Sequence, residues 1–424
     1  NDQLNAKFNW DIDRSRQFKG GLDLSAYLSE HTSENSKSSL AALIKLNPTE
    51  MVFNDTVWNV HPSTIDIVDK RIDIQNFEIS RDNQYVKISG TASENPDDRI
   101  CLQLLDMNLD YVFETLDIGN AMFGGIATGN FYASGLYSKQ PKLETPGLHV
   151  DSFKYNFSVL GDADIISRWD NDSKGVMINA SVKGKENNTS HIKGAIYPLN
   201  DSLDFQFRAK HLPVGFMKPF MEAFTSDVQG YASGDARLYG TFKYINMTGD
   251  ILAEDLKLKV DVTNTYYTTT DSIHLTPGNI TFGNVMLKDE SGNGGRLDGW
   301  VKHHYFKEPS FHFQVTDAKN LECFNVTESI NPIWYGRIFC NGSVFIDGQP
   351  GLVKINATVT TAPNSEFTFV LSDSEAASEY TFLSFNDRNE AKESLLMIVE
   401  DPVAANLKHL KEQFAREKQQ QESH

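Results

Sequence analysis

Pairs of glycines, six residues apart, recur three times along this chain. The pairs are Gly129/Gly135, Gly234/Gly240 and Gly342/Gly348. The first glycines of successive pairs are 105 and 108 residues apart. Self-similarity at a nearly fixed interval indicates stacked units that bury their apolar faces against one another. An interval this long requires several strands in each unit, so the repeat favours one long β structure without a catalytic pocket.

Alternation of apolar and polar residues dominates the sequence and predicts β-strands. Examples are the Ile-Asp-Ile run at 65–67 and the Phe-His-Phe run at 311–313, and turn-forming residues separate such runs. One apolar and one charged face are typical of a sheet with one solvated side. We predict an all-β fold: an elongated, repetitive antiparallel sheet curled into a groove, with short interspersed helices and a helical C-terminal segment.

The repeat also predicts how the chain is divided. The segments are an incomplete β unit at 1–50, three β repeats at 51–157, 158–262 and 263–388, and a helical linker or tail at 389–424. A short amphipathic segment precedes each glycine pair, at Leu109–Leu116, Phe216–Phe224 and Leu321–Tyr335. We expect a short helix within each repeat, because the apolar residues of the first two segments fit one helical face.

Charge and cysteine content limit the partners and sites that are plausible. The formal net charge of −18 argues against a nucleic-acid partner, because phosphate contacts require clustered lysine and arginine. Three cysteines are too few for a disulfide framework or a zinc site, although a Cys323–Cys340 bridge is conceivable. The sequence has no run of about 18 apolar residues that would predict a membrane-spanning helix.

Two local patterns come near a metal site, and each has a simpler explanation. Asp170–Gly175 has the spacing of a calcium loop, but Ser181 occupies the position of the bidentate glutamate, so a hairpin turn is predicted. Three histidines lie within 303–312, but the neighbouring carboxylate, Glu308, falls in a predicted turn. Nucleophile motifs and phosphate-binding loops are also missing from the sequence. We expect no catalytic residue, no metal and no cofactor.

Several stretches resemble one protein family, in their order as well as their residues. The central ones are Gly230–Lys243, Asn246–Asp250, Asp271–Pro277 and Gly294–Gly299. Others are Phe53–Trp58, Leu109–Phe113, Phe123–Gly129, Ser167–Asn171 and Glu379–Phe385. Together they resemble the C-terminal region of TamB proteins, the inner-membrane subunit of the translocation and assembly module, and in particular the versions found in Bacteroidetes. The resemblance covers most of residues 50–388.

The resemblance implies a periplasmic β-taco of the AsmA-like class in a Gram-negative bacterium. It implies phospholipid transfer between the two membranes, or assembly and translocation of outer-membrane proteins. The implied partners are phospholipids, a BamA-type (TamA-like) outer-membrane barrel and unfolded outer-membrane proteins. The family has no catalytic residues to carry over. Because the chain begins mid-pattern and without methionine, we expect an internal fragment whose inner-membrane anchor lies outside it.

An apolar groove suits this function, because removing a methylene group from water is worth about 0.8 kcal/mol. The candidate lining residues are apolar positions of shared strand parity: Ile65, Ile67, Ile72, Ile74, Phe77, Ile79, Leu256, Leu258, Val260, Val262, Phe311, Phe313, Phe367, Phe369 and Leu371. A sandwich core would show the same alternation. Two other functions stay open: a chaperone-like scaffold whose sheet edges pair with unfolded barrel strands and, less favoured, an extracellular adhesin or glycan-binding protein.

Overall fold

The computed structural model describes residues 2–13, 17–32, 38–53, 56–110, 113, 122–137, 141–221 and 225–370. Strands dominate these residues because alternating apolar and polar side chains suit a pleated sheet. The predicted all-β antiparallel class with short helices is confirmed. The predicted helical segment 389–424 lies outside the described residues.

Twenty-four strands are present in the described part of the chain. The first fifteen are β1 Asp2–Asp13, β2 Gln17–Thr32, β3 Ser38–Leu46, β4 Thr49–Phe53, β5 Thr56–Val60, β6 Ser63–Val68, β7 Arg71–Arg81, β8 Gln84–Ala92, β9 Arg99–Asn108, β10 Phe123–Ser134, β11 Lys142–Tyr155, β12 Ser158–Asp170, β13 Gly175–Lys183, β14 Thr189–Tyr197 and β15 Ser202–Pro213. The others are β16 Val228–Thr241, β17 Tyr244–Val260, β18 Thr265–Thr276, β19 Asn279–Asp289, β20 Gly294–His304, β21 Lys307–Val326, β22 Trp334–Gln349, β23 Leu352–Thr361 and β24 Glu366–Phe369.

Helices among these residues are short. They are the 3₁₀ turns Lys185–Asn187, Pro198–Asn200 and Gly215–Met217, and the α-helical turn Lys218–Met221. Leu109, Asp110 and Phe113 are also helical, so helix occurs in the first two predicted segments. The prediction of a helix within Leu321–Tyr335 is wrong. There β21 continues to Val326 and β22 begins at Trp334, because the two strands stay paired until Val326 lies opposite Gly336.

The chain forms two compact units. Unit 1 comprises Asn1–Arg208 and Tyr239–Phe242, and unit 2 comprises Ala209–Leu238 and Lys243–His424. In unit 1, successive antiparallel pairs run from β7–β8 through β14–β15. In unit 2, successive antiparallel pairs run from β17–β18 through β22–β23, and β24 also pairs with β22. The limits of the three repeats stay a prediction about the sequence.

One kind of β-bulge recurs along the chain, and three examples lie beside the glycine pairs. The residues with left-handed backbone are Asp106, His211 and Asn320, with φ between 48° and 50°. Their backbone N–H groups donate to Thr128 Oγ1, Ser233 Oγ and Asn341 Oδ1, at 3.0, 2.8 and 2.9 Å respectively. The side-chain acceptor on the neighbouring strand satisfies an N–H group that the irregular ladder leaves unpaired.

These acceptors explain the glycine repeat. Thr128, Ser233 and Asn341 each directly precede the first glycine of a pair. A Cβ atom on Gly234 or Gly342 would overlap a carbonyl oxygen of the following strand, and φ is 140° and 136° there, a region that favours glycine. The repeated element is therefore a polar residue that holds the preceding strand, followed by a glycine against which the next strand packs.

The structure also shows the pairing of the cysteines and the conformation of the Asp170–Gly175 run. Cys323 and Cys340 form a disulfide between the adjacent strands β21 and β22, with Cα atoms 6.3 Å apart, and Cys101 is free. The run from Asp170 to Gly175 is a hairpin turn, as predicted. In it, Asp170 Oδ2 accepts hydrogen bonds from the backbone N–H and the hydroxyl of Ser173, at 3.0 and 2.6 Å.

Candidate functional site: the apolar sheet face

One face of unit 1 is apolar across many successive strands. Directly paired residues of antiparallel strands project to the same face, so the register identifies its members. The longest row of paired residues is Val60, Ile79, Val86, Leu104, Gly129, Leu148, Ile165, Ala180, Ile192 and Phe207. The opposite face carries rows such as Asp164, Ser181, His191 and Arg208. We call the first of these surfaces the apolar face of unit 1.

The candidates from the first meander lie together on this face. Ile65 is directly opposite Ile74, and Ile67 is opposite Ile72. A bulge then separates Ile74, which pairs with position 90, from position 77, which pairs with 88. The left-handed residue Asn76 (φ 53°) lies in this bulge. It shifts the strand by one residue, which keeps Phe77 and Ile79 on the same face as Ile72 and Ile74.

These six candidates are half-buried instead of enclosed. In a sandwich, the inner faces of two sheets bury each other's side chains. The most buried row of the apolar face instead holds small residues, namely Ala127, Val150, Ala163 and Val182. Within unit 1, the larger aliphatic side chains thus keep part of their surface accessible, which suits a surface that receives a ligand.

Unit 2 has its own apolar face, in which aromatic residues are prominent. One row of paired residues is Leu275, Ile280, Val301, Phe311, Gly348 and Val353, and the next is Phe282, Gly299, Phe313, Ile346 and Ile355. The rings of Phe311 and Phe313 stack with centroids 4.9 Å apart, and Phe282 and Phe313 are 5.7 Å apart. A Cβ atom at Gly348 would overlap the Phe311 ring. This glycine therefore makes room for a ring that covers the neighbouring strand.

The candidates on β17 lie where the face of unit 2 is mixed. Leu256 and Leu258 are opposite Thr269 and Tyr267, and Val260 is opposite Thr265. Cross-strand neighbours of this kind leave hydroxyl groups among the aliphatic side chains. The face is therefore less apolar here than around Phe311.

The assignment of Val262 to a lining strand is wrong. β17 ends at Val260, and Val262 lies in the turn that precedes β18, with 60% of its surface exposed. The turn forms because Asn264 adopts φ 53° and its N–H donates to the carbonyl of Asp261 at 3.2 Å. Asparagine tolerates this left-handed conformation. The alternating sequence pattern therefore continues to Val262, although the strand ends at Val260.

The last candidates lie at the end of the described chain. Phe367 and Phe369 are in β24, opposite Gly336 and Trp334, and remain 49% and 48% exposed. The Phe324 ring contacts those of Trp334 and Phe367, with centroids 5.4 and 6.0 Å apart. Leu371 lies outside the described residues. The two phenylalanines extend the aromatic surface of unit 2 toward solvent.

Unit 2 also contains a buried polar cluster that sequence reasoning missed. Glu322 is 1% exposed, and one of its carboxylate oxygens accepts a hydrogen bond from Arg337 Nε. Asp289, also buried, accepts from the backbone N–H of Glu322 at 2.9 Å. The Tyr267 hydroxyl donates to the Glu322 carbonyl at 2.7 Å, and burial raises the pKa of Tyr267 to about 12. Together with the adjacent disulfide, the cluster fixes β21 against its neighbours.

The solvated face carries histidine–carboxylate pairs between neighbouring strands. His149 Nδ1 is 2.7 Å from Asp164, His274 Nδ1 is 2.6 Å from Asp250, and the same nitrogen of His312 is 2.7 Å from Asp347. The hydrogen bond to Asp164 raises the pKa of His149 above its usual value. His312, one of the three clustered histidines of the sequence, thus pairs with a carboxylate of β22.

Comparison with known proteins adds no identification. No family model, curated protein or solved structure matches this chain. The TamB resemblance and what it implies about partners and location therefore stay predictions. Within the described ranges, we find no helix that combines the length and the apolar composition needed to cross a bilayer.

Proposed function

We propose that this protein shields lipid acyl chains on its apolar faces and transfers phospholipid between membranes, with no chemistry of its own. The observation that carries the proposal is the half-buried apolar face of each unit, opposite a charged face. Nine sequentially paired strands, β7 to β15, extend about 40 Å at ~4.8 Å per strand. That exceeds half of the ~30 Å hydrocarbon core of a bilayer, which is the span of one leaflet's chains.

The cellular setting belongs to the same proposal. A disulfide such as Cys323–Cys340 persists in oxidising compartments, which include the bacterial periplasm. A periplasmic bridge between the inner and outer membranes of a Gram-negative bacterium would use such a face as its lipid path. A BamA-type barrel partner and a role in outer-membrane protein assembly rest on the TamB resemblance alone.

Native mass spectrometry of the gently purified chain tests the lipid-binding role. We expect co-purified phospholipid. Ile165→Asp should abolish it in unit 1, because a carboxylate on the apolar face repels acyl chains. The matched control is Ile166→Asp on the same strand, since Ile166 projects from the opposite face and is 51% exposed. The pair for unit 2 is Phe313→Asp against Gln314→Asp.

The outcomes separate a lipid path from a packed core. A lower lipid content in Ile165→Asp and in Phe313→Asp, each of which leaves the other unit's face intact, supports the proposal when both controls retain lipid and circular dichroism shows intact folding. A wild-type protein that carries no lipid contradicts it, as does equal lipid retention in all four variants.

A second candidate function is β-augmentation of unfolded outer-membrane strands, and one observation favours it. Among the described residues, β23 pairs with β22 on one side and with no strand on the other. It is ten residues long, with Lys354 as its only charged residue. Long edges with few charges are templates for further strands. Binding of barrel-strand peptides by delipidated protein, weakened by Val359→Lys, would favour this function over the lipid path.

A further inference from the structure

The hairpin between β20 and β21 departs from the acidic character of the chain. Residues 300–307 read Trp-Val-Lys-His-His-Tyr-Phe-Lys, with two lysines and two histidines before the first acidic residue, Glu308, in a protein of net charge −18. Lys302, Lys307 and the nearby Lys243 form no ion pair with a carboxylate in the described part of the chain. In contrast, Lys257 in the same unit is 2.7 Å from Glu290.

The turn of this hairpin has an unusual choice of residues. Tyr305 and Phe306 both adopt left-handed backbone, with φ of 52° and 61°. Two-residue hairpin turns of this kind strongly prefer Asn-Gly, because bulky side chains disfavour positive φ. Strained residues that persist in a fold point to a role for their side chains. Here the strain places two aromatic rings at the tip.

Neighbouring side chains hold these rings in place. The Tyr305 ring lies 4.9 Å from that of Tyr244 and 4.7 Å from that of His304, measured between centroids. The Phe306 ring stacks on His303 at 4.5 Å, and the Phe306 N–H donates to His303 Nδ1 at 3.0 Å. Burial lowers the pKa of His303, which keeps that nitrogen available as an acceptor.

The tip nevertheless remains accessible to a partner. Phe306 is 42% exposed, and Tyr244 is exposed to a similar degree. Lys243 lies over the Tyr244 ring, 5.2 Å from its centroid, and Lys302 lies over the Trp300 ring at 4.4 Å. Each ammonium group therefore sits beside an aromatic ring. The hairpin tips at Pro277-Gly278, at Gly292 and at Gly351 in the same unit carry no aromatic residue.

We propose that this aromatic–basic tip docks on the surface of an anionic phospholipid bilayer. Aromatic rings are favoured at the level of the headgroups, and lysines there are attracted by the negative surface potential. The side chains of Lys302 and Lys307 are long enough to keep their charge among the headgroups while the rings enter the interface. The tip would orient unit 2 at a membrane, whether or not the apolar face carries lipid.

Vesicle flotation with the full chain tests this proposal. The probe is vesicles of equal parts phosphatidylcholine and phosphatidylglycerol, compared with pure phosphatidylcholine. We expect binding to the first, weakened roughly tenfold by Lys302→Gln/Lys307→Gln and by added salt. The double change Tyr305→Asn/Phe306→Gly should also abolish binding while it stabilises the hairpin, since it installs the preferred turn.

A matched control comes from unit 1. Phe157 occupies the same kind of left-handed position (φ 66°) in the hairpin between β11 and β12, where the nearby Lys154 is paired with Asp110. Phe157→Gly should leave flotation unchanged. The proposal is overturned if wild-type protein does not float with anionic vesicles, or if the Tyr305→Asn/Phe306→Gly variant floats equally well. Co-purified phospholipid in that variant is expected to persist, which separates this outcome from the lipid-path proposal.

Discussion

The two units build the same kind of face with different chemistry. In unit 1 the face is mainly aliphatic across β7 to β15, and its most buried positions are alanine and valine. In unit 2 the face is aromatic around Phe311 and Phe313, and it borders a cluster with two buried carboxylates, Asp289 and Glu322. A crosslink between β21 and β22 is found beside that cluster.

This difference shows that a sheet of paired strands can be held in two ways. Unit 1 relies on small side chains that pack closely along one row, so its stability comes from apolar contact. Unit 2 adds hydrogen bonds to buried charges and a covalent bridge, which are stabilising only while every partner remains. Single substitutions should therefore affect the two units very differently.

The largest effect should follow from Arg337→Leu, which would break the network of unit 2. It leaves the buried carboxylate of Glu322 without its cation, at a cost of about 3–5 kcal/mol. Hydrogen exchange should show lost protection in β21 and β22 and no change in β11 and β12. The double variant Glu322→Leu/Arg337→Leu removes both charges and should recover most of the loss. Equal loss of protection in both units would contradict the comparison.

Removal of the disulfide should have the second-largest effect on stability. Cys323→Ser/Cys340→Ser opens a link between residues 17 apart in sequence, which should cost about 2–3 kcal/mol. Urea denaturation with and without reductant measures this effect. The wild-type protein should shift on reduction, whereas the variant should not. Cys101→Ser is the control, because it removes a cysteine outside the disulfide. If, without reductant, it lowered the urea midpoint as much as the double variant does, the loss of stability could not be attributed to the disulfide.

Truncation of a buried side chain in unit 1 should have a smaller effect on stability. Val150 is fully buried in the row of small residues, so Val150→Ala should cost about 1–2 kcal/mol. Val159, on the adjacent strand β12, is exposed, and Val159→Ala should be nearly neutral. Thermal unfolding of the two variants measures the difference. Equal effects would mean that close packing along this row does not stabilise unit 1.

The smallest effect should be on the solvated face of unit 1. The folded pKa of His149 is raised above 6.5 by its hydrogen bond to Asp164. The pair therefore adds stability that is complete below pH 6.5 and is lost as the pH rises through the folded pKa. Because the pair is exposed, His149→Gln should cost less than about 0.5 kcal/mol at acidic pH and nothing at alkaline pH. Urea titrations at both pH values test this; an alkaline-only effect would contradict it.

Much of the fold follows from local pattern. Alternation alone predicts the pairing face of Ile65, Ile67, Ile72 and Ile74, because a strand has a strict period of two. The pattern fails where the backbone departs from that period. Val262 continues the alternation of the sequence. The strand nevertheless ends at Val260, because Asn264 adopts a left-handed conformation in the turn that follows.

Other features depend on contacts that no local pattern encodes. Glu322 and Arg337 are fifteen residues apart on different strands, so only the register brings them together. The turn at Tyr305-Phe306 contains none of the residues that signal a turn. The glycine repeat was visible in sequence, but its partners Thr128 and Ser233 gain their role from bulges in the preceding strands.

Pairing between consecutive strands has a consequence for how such a protein can evolve in length. Among the described residues, each strand from β8 to β14 pairs only with its immediate predecessor and successor, so no distant segment must be rebuilt when a hairpin is gained or lost. Each hairpin adds about 10 Å, two strand spacings. A duplicated repeat would bring its own bulge, acceptor and glycine with it. The number of hairpins therefore determines the width of the sheet, and selection can change that number to suit the distance that the sheet must span.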